Sequence, residues 1–188
     1  MGINKKDSNG IQGSIFEFLS TVFKKNSVQA VLVGGYALNV NNVQRMTFDI
    51  DFMITASDCS KIEQDFLKAG YSVFSRQDSF LQFRGEKPGL RDIDLLICDE
   101  HTLHQLITGG REVTIAKERF IVASVNHLIA MKLHAIAENQ ERELKDFPDI
   151  VELIAANNID PAENNIKMMF QKYKLMNLYK KVIRREGM

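Results

Sequence analysis

Two short stretches, FDIDFMI at residues 48–54 and RDIDLLI at residues 91–97, each carry a pair of aspartates directly before an apolar run. Strand side chains alternate between faces, so Asp49 and Asp51 share one face while Ile50 and Phe52 share the other. Runs such as FMI and LLI belong in the middle of a sheet, where a carboxylate is costly unless something meets its charge. The alternative is an edge strand with a wet polar face. Asp92 and Asp94 repeat the pattern. Asp94 adjoins its apolar run, as Asp51 does, and Asp92 stands in reserve. If the two strands are neighbours, Asp94 joins Asp49 and Asp51. Three such carboxylates repel one another or take up protons when no cation is near. With hard divalent cations, which prefer oxygen ligands, they form the two-ion device that clamps the entering and leaving oxygens of a phosphoryl displacement.

The first stretch follows AVLVGG at residues 30–35, a β-branched strand halted by two glycines. Gly34 and Gly35 either let the backbone approach a phosphate or simply make a turn. Walker A and G-x-G-x-x-G patterns are absent, which removes P-loop ATPases, dinucleotide enzymes and protein kinases. Elsewhere SIFEFLSTVFKK reads as a helix capped by Ser14, and YALNVNNVQ as a short helix or turn. CSKIEQDFLKAG reads as a helix capped by Ser57 or Asp58 and ended by Gly70. YSVFS and SFLQFRG are strands joined tightly, KPG is a turn, EHTLHQLI a helix, and REVTIA with RFIVA a hairpin.

From Ser124 the pattern becomes helical: VNHLIAMKLHAIAE, then LKDFPDIVELIAAN interrupted by Pro148, then PAENNIKMMFQKYKLMNLYKKVIRR with Pro161 in its first turn. The expected organisation is a core over residues 1–123 and a helical subdomain over 124–188. In the last helix Lys167, Lys174 and Lys181 recur every seven residues, joined by Lys172, Lys180, Arg184 and Arg185. Ile166, Phe170, Tyr173, Met176, Tyr179 and Ile183 form the opposing stripe. Such a helix is an amphipathic cover, or its basic face guides an RNA or an acidic partner.

At 188 residues and 45% hydrophobic the chain can bury a sizeable core. Lys+Arg and Asp+Glu are 24 each, so a dominant polyelectrolyte binder is excluded. Cys59 and Cys98 lack metal or disulfide spacing, and no apolar stretch approaches the roughly 20 residues that span a bilayer. A cytoplasmic protein with no membrane partner is expected. Residues 1–13 are polar and expected to fray. They hold no apolar leader, and Lys6 stands where a myristoylation motif wants Ser or Thr. His101, His104, His127 and His134 lack zinc spacing, and Ser27 and Ser57 lack a G-x-S-x-G setting.

Taken together, VGGYAL, QRMTFDIDFMI and DIDLLI resemble the nucleotidyltransferase superfamily, whose pattern is G-[GS], D-x-D and a third Asp on a neighbouring strand. The segment Arg45, Met46, Thr47, Phe48, Asp49, Ile50, Asp51 is similar to the R-x-[TS]-x-D-[IL]-D of the minimal nucleotidyltransferases of the AbiEii toxin type. Lys132 in an apolar helix, followed by Arg142, Lys145, Asp146 and Asp149, matches the string in their helical portion. The likeness spans about residues 28 to 155.

The resemblance implies an α+β fold, a nucleotidyltransferase-like mixed twisted sheet flanked by helices with a C-terminal helical subdomain. It implies an NTP substrate and two Mg²⁺ ions. Asp49, Asp51 and Asp94 would hold the metal, and Asp94 would help deprotonate an acceptor hydroxyl. Gly34 and Gly35 would face the triphosphate, and Lys132 would neutralise its β- and γ-phosphates. Arg45 and Thr47 position the triphosphate or merely bond the loop backbone. On the residues alone, Lys132 either snorkels or meets anions, and Arg142–Asp146 and Lys145–Asp149 read as i,i+4 pairs. The family further implies the toxin of a toxin–antitoxin or phage-defence pair, with a tRNA or protein acceptor and an antitoxin protein partner. Alternatives are an antibiotic nucleotidyltransferase of the lincosamide or aminoglycoside kind, or an inactive nucleotide- or partner-binding module. Tyr36 replaces the Trp usual after the glycines of the antibiotic enzymes, and their charged insert before D-x-D is missing.

Overall fold

The computed structural model describes residues 14–186, so the expectations for residues 1–13 lie outside the described residues. Helix α1 (Ile15–Lys25) starts at Ser14, whose hydroxyl accepts from the Glu17 N–H. It is followed by β1 (Ala30–Leu32), α2 (Gly34–Val40), β2 (Ile50–Thr55), α3 (Ala56–Ala69), β3 (Tyr71–Gln77), β4 (Phe80–Gly85) and β5 (Ile93–Cys98). Then come α4 (Glu100–Gly109), β6 (Arg111–Ile115), β7 (Glu118–Val122), α5 (Val125–Glu138), α6 (Glu143–Ala156), α7 (Asn164–Lys172) and α8 (Met176–Glu186).

Among the described residues the strands form one mixed sheet in the order β3-β4-β5-β2-β1-β7-β6. The aspartate-bearing strands β2 and β5 lie side by side and parallel near its middle, with Asp51 opposite Asp94. β1 runs antiparallel to β2 and parallel to β7. The fold class is therefore the mixed sheet flanked by helices that the resemblance implied. Ile50, Phe52 and Ile54 point from β2 into a dry core, where Phe52 meets Phe23 of α1 edge-on at 5.1 Å. The core continues through Phe66 of α3 and Phe83 of β4, stacked at 4.8 Å, and reaches Leu133, Ile150, Phe170 and Leu178 of the C-terminal helices.

Several local expectations change. α3 is capped by Thr55, whose Oγ1 accepts from the Asp58 N–H, because the strand runs into the helix without a loop in which Ser57 or Asp58 could serve. Pro148 does not interrupt α6. It sits in the second turn, and both it and Leu144, whose carbonyl it leaves unbonded, face solvent, where water can satisfy that oxygen. The last helix is two. The chain turns at Lys174 (φ 59°), and the Leu175 N–H closes back on the Phe170 carbonyl at 2.9 Å. Pro161 falls in the turn before α7. The break rotates α8, so that Leu178 and Val182 are buried and Ile183 is exposed, which dissolves the seven-residue lysine stripe.

Three asparagine bonds fix the layer that carries the site. Asn41 Nδ2 donates to the carbonyls of Ala37 and Ala123, and Asn157 Nδ2 donates to that of Asn41. They tie the end of α2 to β7 and to the end of α6, so the glycine turn and the α5–α6 pair cannot shift independently of the sheet.

Candidate active site

Asp49 stands just before β2, Asp51 on β2 and Asp94 on β5. One carboxylate oxygen from each lies within 4.8 Å of the others. The parallel register of β2 and β5 makes this cluster, and Asp92 is not part of it: its Oδ1 accepts from the Gly85 N–H at 3.1 Å and pins the loop after β4. Asp94 is buried, and its Oδ1 has no hydrogen-bond partner among the described residues. Burial first, and then the charges of Asp49 and Asp94, push the Asp51 carboxyl up to about 7. Burial likewise lifts Asp94 to about 6; the Gln82 amide opposite pulls it back, and Asp49 and Asp92 add to the rise. Such a set is incomplete electrostatically: it wants protons or a cation.

The glycines earn their place through this cluster. Gly34 has φ 60°, and a β-carbon there would overlap the Asp51 carboxylate; one on Gly35 would overlap the Thr47 side chain. The Gly35 N–H bonds the Asp51 carboxylate and lowers it. Close approach of Asp51 and Thr47 thus explains the pair, and both glycines also line the cleft above the carboxylates. Thr47 Oγ1 donates to Asp49 Oδ1 at 2.6 Å, which orients that carboxylate. The loop holding Thr47 is itself fastened by reciprocal bonds between Asn39 and the Arg45 backbone and by Arg91, which donates to the Thr47 carbonyl at 3.0 Å.

A cleft of about 320 Å³ opens over the cluster, lined by Gly34, Gly35, Thr47, Asp49 and Asp51 on one side and by Lys132, Arg142 and Lys145 on the other. An apolar recess of about 140 Å³ adjoins it at Asp51, walled by Leu96, Leu128 and Met131. Met46 and Phe48 stand at the cleft's mouth with 83% and 76% of their surface exposed.

The second wall is a charge network. Lys132 Nζ donates to Asp146 at 3.0 Å and to Asp149 at 2.6 Å; Arg45 reaches Asp149 at 2.9 Å, and Arg142 reaches Asp146 at 2.7 Å. Asp146 and Asp149 are almost wholly buried. The Arg142–Asp146 pair expected from spacing exists. The Lys145–Asp149 pair does not, because Asp149 turns inward to Lys132 and Arg45. The sequence held a signal for this: Asp146, Asp149, Ile150 and Leu153 follow i, i+3, i+4, i+7, so both acids ride the buried stripe of α6. Arg45 and Lys132, expected near a triphosphate, thus line the cleft while engaged by carboxylates.

No protein-family model matches the chain, and no curated protein matches it. Solved structures do. The antibiotic-resistance factor ANT(2'')-Ia is similar with a TM-score of 0.62 at 13% identity, over 91% of this chain and 94% of that one. The lincosamide antibiotic adenylyltransferase LnuA is similar with a TM-score of 0.54 at 16% identity, over 79% of this chain and 99% of its own. A Thermotoga maritima protein described as a nucleotidyltransferase gives 0.53 at 16% identity, over 72% and 91%. These likenesses and the sheet order agree: the chain has the nucleotidyltransferase fold.

Proposed function

We propose that the protein transfers a nucleoside monophosphate from an NTP to a hydroxyl and releases pyrophosphate. The observation that carries this reading is the convergence of Asp49, Asp51 and Asp94 from two strands within 4.8 Å, under a cleft whose far wall is cationic. The residues fit divalent metal, expected as two Mg²⁺ ions with the NTP. The donors are all carboxylate oxygens, the Asp94 Oδ1 has no partner among the described residues, and two of the three carboxyls are raised as metal-free neighbours would be. Bound there, metal would supply charge neutralisation at the reacting phosphate.

The chain's own residues then divide the work. Asp49, held by Thr47, and Asp51, held by the Gly35 N–H, are the metal-binding carboxylates. Asp94 completes the metal site and would help to take the proton from the acceptor hydroxyl. That hydroxyl oxygen bonds to the α-phosphorus, the bond from the α-phosphorus to the bridging oxygen breaks, and pyrophosphate leaves with the electron pair. Gly34, Gly35 and the cationic wall of Arg45, Lys132, Arg142 and Lys145 border the triphosphate. Positioning and charge carry catalysis of this kind.

For the acceptor we favour a macromolecule, tRNA or protein, in a toxin–antitoxin or defence setting of the AbiEii kind. Exposed Met46 and Phe48 at the mouth support this, since a flat apolar rim suits a large partner. The second reading, an antibiotic acceptor, is favoured by likeness to ANT(2'')-Ia and LnuA. One experiment separates them. Each α-labelled NTP is offered with Mg²⁺ to total tRNA, lysate protein and a panel of aminoglycosides and lincosamides. Label should enter a macromolecule and vanish in Asp49→Ala/Asp51→Ala. Transfer that survives the double variant sinks the site, and label confined to the small molecules sinks the macromolecular acceptor.

A further inference from the structure

We propose that Lys145 is the side chain that grips the β- and γ-phosphates, and that Lys132 is a pin between α5 and α6. The inference rests on the nucleotidyl-transfer reading and assigns a residue within that site. Four cations line the cleft: Arg45, Lys132, Arg142 and Lys145. Lys132 is held by two buried carboxylates, Arg45 by Asp149 and Arg142 by Asp146. To give its ammonium to a phosphate, Lys132 would have to abandon acids with almost no water around them, which is strongly unfavourable.

Lys145 is differently placed. It is exposed, lines the same cleft, and makes no ion pair among the described residues. Lys145 lines the same cleft as Asp51, and its charge opposes the rise of both Asp51 and Asp94. It also sits in the first turn of α6, where the helix dipole already presents positive charge and a cation is unfavourable by itself. The acids of that turn offer no relief, because Glu143 is paired with Lys181 and Asp146 with Lys132 and Arg142. A cation added to a positive helix end is stabilised when an anion binds between them and the metal-holding carboxylates. A polyphosphate is the anion that spans that gap. A lysine on a four-carbon stem can follow the leaving pyrophosphate, whereas the fastened guanidinium groups cannot.

The test is calorimetric titration of inorganic tripolyphosphate, with saturating Mg²⁺, into the full chain and its variants. Lys145→Ala should bind about ten- to a hundredfold more weakly, as loss of a charge-assisted contact predicts, while Lys145→Arg stays within about threefold. Its melting temperature should match the parent's, which shows that binding was lost and folding was not. Lys145→Ala binding tripolyphosphate as tightly as the parent overturns the inference and leaves the nucleotidyl-transfer reading standing. A parent chain that binds no tripolyphosphate overturns both.

Discussion

Two acidic clusters face each other across one cleft. On the sheet, Asp49, Asp51 and Asp94 crowd together, and Asp51 and Asp94 are raised by burial first and then by neighbouring aspartates. On the helices, Asp146 and Asp149 are more deeply buried, yet Lys132, Arg45 and Arg142 satisfy them. The helical cluster is complete within the chain and so holds α5 to α6 and both to the Arg45 loop. The strand cluster is short of positive charge, which supports our proposal that it is the one that receives a ligand. What separates a structural cluster from a functional one here is whether the protein supplies the counter-charge.

The strongest way to break this contrast is Asp49→Ala/Asp51→Ala. We expect pyrophosphate release from NTP to fall by roughly a thousandfold or more, with thermal stability unchanged or raised, because repulsion is relieved. A stability collapse would mean that the strand cluster is structural after all. Lys132→Met tests the opposite side. Taking one cation from two buried carboxylates, which keep only Arg45 and Arg142, should cost up to about 3–5 kcal/mol, seen as a melting point lower by on the order of 10 °C. An unchanged melting point would show that the network is not the pin we describe.

A third prediction concerns pH. Asp51 and Asp94 are raised in the folded protein to about 7 and about 6, so their protonated forms favour the fold. The contribution of these two groups to the stability of the metal-free protein should be full below the ordinary carboxylate range. It should decline and be lost as pH rises toward about 7, since each pKa unit is worth about 1.4 kcal/mol, whereas the ion-paired carboxylates Asp146 and Asp149 contribute in the opposite sense at acid pH. Asp51→Asn should flatten that decline, and Mg²⁺ at pH above about 7 should restore stability by binding the ionised cluster. Chemical denaturation at several pH values would read all three. The smallest effect is expected at Lys181–Glu143, as short at 2.7 Å as the buried pairs but with side chains 53% and 35% exposed. Lys181→Ala should cost less than about 1 kcal/mol, and a larger loss would show that geometry outweighs burial.

Much of the fold could be read locally. The alternation around Asp51 and Asp94, Ser14 before α1 and Gly70 after α3 each carry their instruction within a few residues. The misreadings came where solvent exposure or distant packing outweighed a local sign. Pro148 announces a break, but α6 survives because the affected carbonyl faces water. Lys174 announces nothing, yet the chain turns there so that Leu178 and Val182 can enter the core. The lysine stripe was a pattern on a helix that does not exist as one piece.

By itself the sequence determined which side chains share a face, because strand and helix periods are set by backbone geometry alone. It therefore put two acids on one side of each central strand and two more on the buried side of α6. Only the tertiary structure decided which strand lay beside which, that Asp94 rather than Asp92 entered the cluster, and which lysine met which carboxylate. Charge pairing depends on distances between segments far apart in the chain, and those distances exist only once the sheet and helices have packed.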